Sequence, residues 1–98
     1  MSLQTKRSMA WSQFLRIQND TSETDVGTGE VLLGRLVISN ANAAVQTVTV
    51  KDGTDVVNVI RVPATDTRVV DMNLLISSDG LAITASHADL DIAVLYDD

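Results

Sequence analysis

The dipeptide Asp52-Gly53 sits between two runs of β-branched residues, 45–51 and 56–62, and this constrains the fold more than any other feature of the chain. Asp-Gly adopts the positive-φ conformations of a tight reversal, and flanking apolar alternation makes it a hairpin signal. In residues 45–51, Val48 and Val50 point one way, and Thr47, Thr49 and Lys51 the other. In residues 56–62, Val56, Asn58, Ile60 and Val62 share one face, while Val57, Val59 and Arg61 share the other. Pro63 ends that run, because proline cannot donate to a ladder. A hairpin is expected here, with its loop reaching Asp55.

Comparable runs cover residues 13–18, 31–39, 67–72, 81–86 and 91–96. Asp, Thr, Ser and Gly dominate residues 19–30, which read as a loop with Val26 as its one core residue. Residues 77–80 form a turn and 87–90 a connector. No stretch carries the period of an amphipathic helix. The expected fold is all-β, an antiparallel β-sandwich of jelly-roll-like form with about seven to eight strands. Residues 1–12 read as an N-terminal arm and residues 13–98 as the sandwich domain.

A chain of 98 residues makes one domain. Its only aromatic residues are Trp11, Phe14 and Tyr96, so the core must be Val, Ile, Leu and Ala. There is no cysteine, which removes disulfide and thiol chemistry. No apolar run approaches the roughly 18 residues of a membrane helix. Lys6 and Arg7 are not followed by an apolar segment of signal-peptide length. Charge is unevenly placed. Residues 1–19 hold three basic residues and no acid; residues 20–98 hold four basic and thirteen acidic residues, a net −9. So acidic a body repels phosphate backbones and anionic bilayers, and neither nucleic acid nor membrane is expected as a partner.

Two runs break the sandwich rule. The exposed outer face of a sandwich should be polar. Residues 31–39 carry Leu32, Gly34, Leu36 and Ile38 on one face and Val31, Leu33, Arg35 and Val37 on the other. Residues 56–62 are likewise apolar on both faces. A second apolar face needs a cover, and in a domain this small the arm or a neighbouring subunit must supply it. A homo-oligomer is expected, with Leu33, Val37, Val57 and Val59 facing the partner. Lys6, Arg7 and Arg16 would pair with an acidic surface. Trp11 and Phe14 would either anchor the partner or close one end of the core.

No catalytic constellation stands out. His87 is the only histidine, and its neighbours Ser86 and Asp89 point different ways on a strand end. Gly27-Thr28-Gly29 lacks the lysine and following helix of a phosphate loop. The acids of residues 20–30 do not have the spacing of a calcium loop. No enzyme activity, metal or cofactor is expected. The alternative is a carbohydrate- or calcium-dependent binding module using residues 20–30 and 77–80.

Several short pieces resemble the small β-sandwich virion proteins of tailed phages, especially marine ones. They are Gly34-Arg35-Leu36, Asn42-Ala43-Ala44, Val48-Thr49-Val50-Lys51-Asp52-Gly53, Val62-Pro63-Ala64, Val69-Val70-Asp71, Gly80-Leu81-Ala82-Ile83 and Ala93-Val94-Leu95-Tyr96. The resemblance covers about two thirds of the chain and leaves out the arm. It implies a structural component of the virion, assembled in the host cytoplasm: capsid decoration, head fibre or tail-associated. It further implies a trimer, a capsid or tail protein as partner, and no catalytic residues.

Overall fold

The computed structural model describes residues 13–27, 29–76 and 80–98. Eight strands form: β1 (Gln13–Gln18), β2 (Thr24–Val26), β3 (Val31–Asn40), β4 (Gln46–Asp52), β5 (Asp55–Val62), β6 (Thr67–Ile76), β7 (Leu81–Ala85) and β8 (Leu90–Asp97). They make two four-stranded antiparallel sheets packed as a sandwich. The first sheet has the order β1-β8-β3-β6 and the second β2-β7-β4-β5. This is jelly-roll order. The pairs nest: β4 with β5, β3 with β6, β2 with β7, and β1 with β8.

The hairpin at Asp52-Gly53 forms with a tighter loop than expected. Asp52 pairs with Asp55, leaving Gly53-Thr54 as a two-residue turn. Gly53 has φ 62° while Thr54 does not lie at positive φ, the requirement of a II′ reversal. One Asp52 carboxylate oxygen is buried at this end without a hydrogen-bond partner. The loop expected over residues 19–30 contains a strand, β2, three residues long, whose Val26 is fully buried against β7.

The core lies between the sheets and is aliphatic. Val31, Leu33, Leu36 and Ile38 of β3 meet Val48 and Val50 of β4, Leu81 and Ile83 of β7, and Ile92 and Val94 of β8. The two faces of β3 are therefore not those of simple alternation. Its inward set is Val31, Leu33, Leu36 and Ile38, which no simple alternation joins. A bulge at Gly34 switches the phase. Between Leu33 and Arg35, β3 takes two steps while β8 takes one, Tyr96 to Leu95, and β6 takes three, Leu74 to Asp71. The extra residue returns the next side chain to the same face. Leu33 is fully buried and does not face a partner, which corrects its expected position. Asn73, at φ 45°, lies in the longest of the three paths.

Among the described residues one polar side chain belongs to the core. Asn40, 3% exposed, ends β3. Its Nδ2 donates to the carbonyls of Ala44, Val62 and Pro63 at 3.0–3.1 Å, and its Oδ1 accepts from the Asn42 amide at 2.9 Å. Its own amide donates to the Asp66 carbonyl at 2.8 Å. A single amide thus ties together the end of β3, the β3–β4 loop, the end of β5 and the β5–β6 turn.

Candidate functional site

The register of the first sheet sets which side chains share its outer face. Three rows run across β1, β8, β3 and β6: Phe14–Leu95–Arg35–Asp71, Arg16–Ala93–Val37–Val69 and Gln18–Asp91–Ser39–Thr67. Phe14, Leu95, Ala93, Val37 and Val69 form an apolar patch within them. Phe14 is 62% and Val69 59% exposed, so no other part of the described chain covers them. A shallow depression of about 320 Å³ between Phe14, Val37 and Ala93 marks its middle.

Paired charges rim the patch. Arg16 donates from Nε to Asp91 Oδ1 at 3.0 Å and from Nη2 to Oδ2 at 2.6 Å, a bidentate fork. Gln18 adds a longer bond to the same carboxylate at 3.4 Å. Arg35 Nε reaches Asp71 Oδ1 at 2.6 Å, and the Ser39 and Thr67 hydroxyls meet at 3.2 Å. The hydrogen bond from Arg16 holds the Asp91 carboxyl below its ordinary range, and Asp91 raises Arg16 in turn. A depressed carboxyl stabilises the fold above its unfolded pKa and loses that contribution as pH falls through the lower folded value. Asp91→Asn should therefore be less stable than the parent at neutral pH. The gap should close as pH drops below about 3.8, the ordinary carboxyl value. Thermal melts from pH 7 to pH 2 check this; a gap independent of pH refutes it. The effect is small because the pair is exposed.

The outer face of the second sheet is different in kind. Its rows are Asp25–Ala82–Lys51–Val56 and Thr84–Thr49–Val59. Threonines fill its centre, and Lys51 pairs with Glu23 at 3.2 Å. Only β5, at the edge, adds exposed apolar groups: Val56, Val57 and Val59. The inward side of β5 is reduced to Ile60 and Val62, since Val56 and Asn58 are exposed. The two-sided apolarity of residues 56–62 is that of an edge strand.

Of the residues read as partner-facing, the structure gathers Phe14, Arg16 and Val37 on one surface. Val57 and Val59 lie on the other sheet, and Leu33 lies inside. Phe14 does not close the core. Lys6, Arg7 and Trp11 fall outside the described residues. Ala93, Leu95 and Val69 were missed as patch members. The signal for two of them was present, because residues 91–96 are apolar on both faces as well.

The other candidates are committed to local structure. Ser86 Oγ donates to Gln46 Oε1 and accepts from the Thr47 amide, both at 2.8 Å, rather than meeting His87. His87 Nδ1 accepts from the Asp89 amide at 3.0 Å within the β7–β8 turn. Asp20 accepts from Ser22, which lowers its carboxyl pKa. Among the described residues no group of three His, Cys, Asp or Glu side chains is placed to hold a metal. Among them, too, no helix is long and apolar enough to cross a membrane. Comparison with protein-family models, with curated proteins and with solved structures finds no match to this chain.

Proposed function

We propose that this chain is a structural protein that works by assembling with copies of itself, the outer face of its first sheet being covered by another copy. The observation that carries the proposal is the apolar patch spanning all four strands of that sheet, opposite a threonine-rich face on the other. Four strands at about 4.8 Å and ten residues of β3 at about 3.3 Å give a face of roughly 600 Å². A stable association uses about 800 Å² per partner, so this face with a modest contribution from its surroundings suffices. The acidity of the body opposes self-association in general. At this face the charges cancel in the Arg16–Asp91 and Arg35–Asp71 pairs, so two copies approach there without like-charge repulsion. The motif resemblance from Gly34 to Tyr96 supports reading such a building block as part of a phage virion, a trimeric decoration, head-fibre or tail-associated component.

Size-exclusion chromatography with light scattering tests the assembly. At micromolar concentration the mass should be a multiple of the 10.5 kDa of one chain. Val37→Asp, which buries a charge at the centre of the contact, should weaken association at least tenfold with the fold intact. A wild-type monomer at tens of micromolar overturns the proposal. Capsid or tail genes flanking the coding sequence are expected for the virion role.

A further inference from the structure

The opposite side of the sandwich, where edge strands β5 and β6 run together, carries a second and different surface. We propose that it binds an extended acidic segment of another protein, added alongside β5 as a fifth strand of the second sheet. Three independent observations converge there. First, among the described residues β5 pairs with β4 alone, so its outer backbone N–H and C=O groups are available to a further strand. Its bulge lies opposite Val50 and Lys51, which leaves residues 58–62 regular. Second, Val56, Val57 and Val59 are 57%, 41% and 50% exposed, an apolar row that edge strands ordinarily blunt with charge. Third, a cleft of about 540 Å³ opens between β5 and β6. Val45, Val59 and Val70 line it, and so do Arg61 and Arg68.

The charges choose the occupant. Five basic residues lie among those described. Arg16, Arg35 and Lys51 are in ion pairs. Among the described residues Arg61 and Arg68 are in none. Both line the cleft, and no acid does. Asp66, in the turn between them, accepts from the Thr67 amide at 2.8 Å. Two free guanidinium groups over an aliphatic floor suit carboxylates alternating with apolar side chains, the spacing an added strand presents. This surface is separate from the self-assembly face, and the inference does not rest on that reading.

A blocked, labelled hexapeptide of alternating Asp and Val, with a Lys-Val peptide as control, tests it by fluorescence polarisation on the wild type and on Val37→Asp. The acidic peptide should bind both proteins. Its affinity should fall at least tenfold between 50 and 500 mM salt, as about two exposed ion pairs require. Arg61→Glu with Arg68→Glu should abolish binding while the circular-dichroism melt is retained, and amide exchange should slow at residues 58–62 on binding. Equal binding of the two peptides, or acidic binding that survives the double substitution, overturns the proposal. So does no acidic binding at millimolar peptide. A fall in oligomer mass on Val59→Asp would assign the edge to a second copy and overturn it too.

Discussion

Leu33→Ala should destabilise the domain by about 2–5 kcal/mol, while Val37→Ala, four residues along the same strand, should cost less than about 1 kcal/mol in the dilute protein. By alternation alone the two residues belong to one face and should respond alike. The bulge at Gly34 separates them, sending Leu33 into the core and leaving Val37 half-buried on the outer face. A small domain has only about 5–15 kcal/mol of stability in total, and each kcal/mol moves its midpoint by about 4–8 °C. The first variant should therefore melt roughly 4–40 °C below the second. Urea titration at fixed, low protein concentration checks it, because association would otherwise add to apparent stability. Equal midpoints would mean that the bulge does not switch the phase.

Asn40→Asp should be at least as damaging, and pH-dependent in a defined sense. The substitution keeps the shape of the side chain but replaces its two donor hydrogens with a carboxylate facing the carbonyls of Ala44, Val62 and Pro63. Each buried group left unpaired costs about 1–3 kcal/mol, and a buried charge facing acceptors costs more. Burial raises the carboxyl pKa of the variant, so its protonated form should recover part of the loss at about pH 4 and below, and the deficit should grow toward neutrality. Asn40→Ala removes the donors without the charge and should show a large deficit with little dependence on pH. Melting both variants between pH 3 and pH 7 separates the two effects. Parallel curves would show that the amide hydrogens do not carry the contact.

These two sites also mark where the amino-acid sequence stops being legible. Val48 and Val50, Ile92 and Val94, and the triplet Leu81, Ile83 and Ala85 follow strict alternation, and all are buried as it requires. Asp52-Gly53 between two β-branched runs gives its hairpin because turn chemistry is local. β2 escapes notice because three residues, two of them polar, are too few for a period. The bulge escapes because Gly34 fits either phase, and one extra residue inverts everything beyond it. Asn40 looks like a turn residue and is one, yet its side chain reaches segments more than twenty positions away. The candidate surface needed the sheet order. Phe14, Ala93, Val37 and Val69 are neighbours only because β1, β8, β3 and β6 lie side by side, and no local pattern encodes that.

The nesting of the strand pairs imposes an order on how the chain can reach this state. Gln13 lies opposite Tyr96, while Asp52 lies opposite Asp55. Loop-closure entropy rises with the number of residues enclosed, so the β4–β5 hairpin, a microsecond event, is the least costly first step. Once it forms, the span between β3 and β6 is already folded back on itself, and the effective loop to be closed is short. The same holds for β2 with β7 and then for β1 with β8. The chain can zip outward from Gly53 through a series of small closures, although its outermost partners lie near opposite ends of the sequence. The last pair to close brings in β1, which carries Phe14 and Arg16. On this route the outer face of the first sheet, with Phe14 and Arg16 in it, is completed only when the rest of the sandwich is in place.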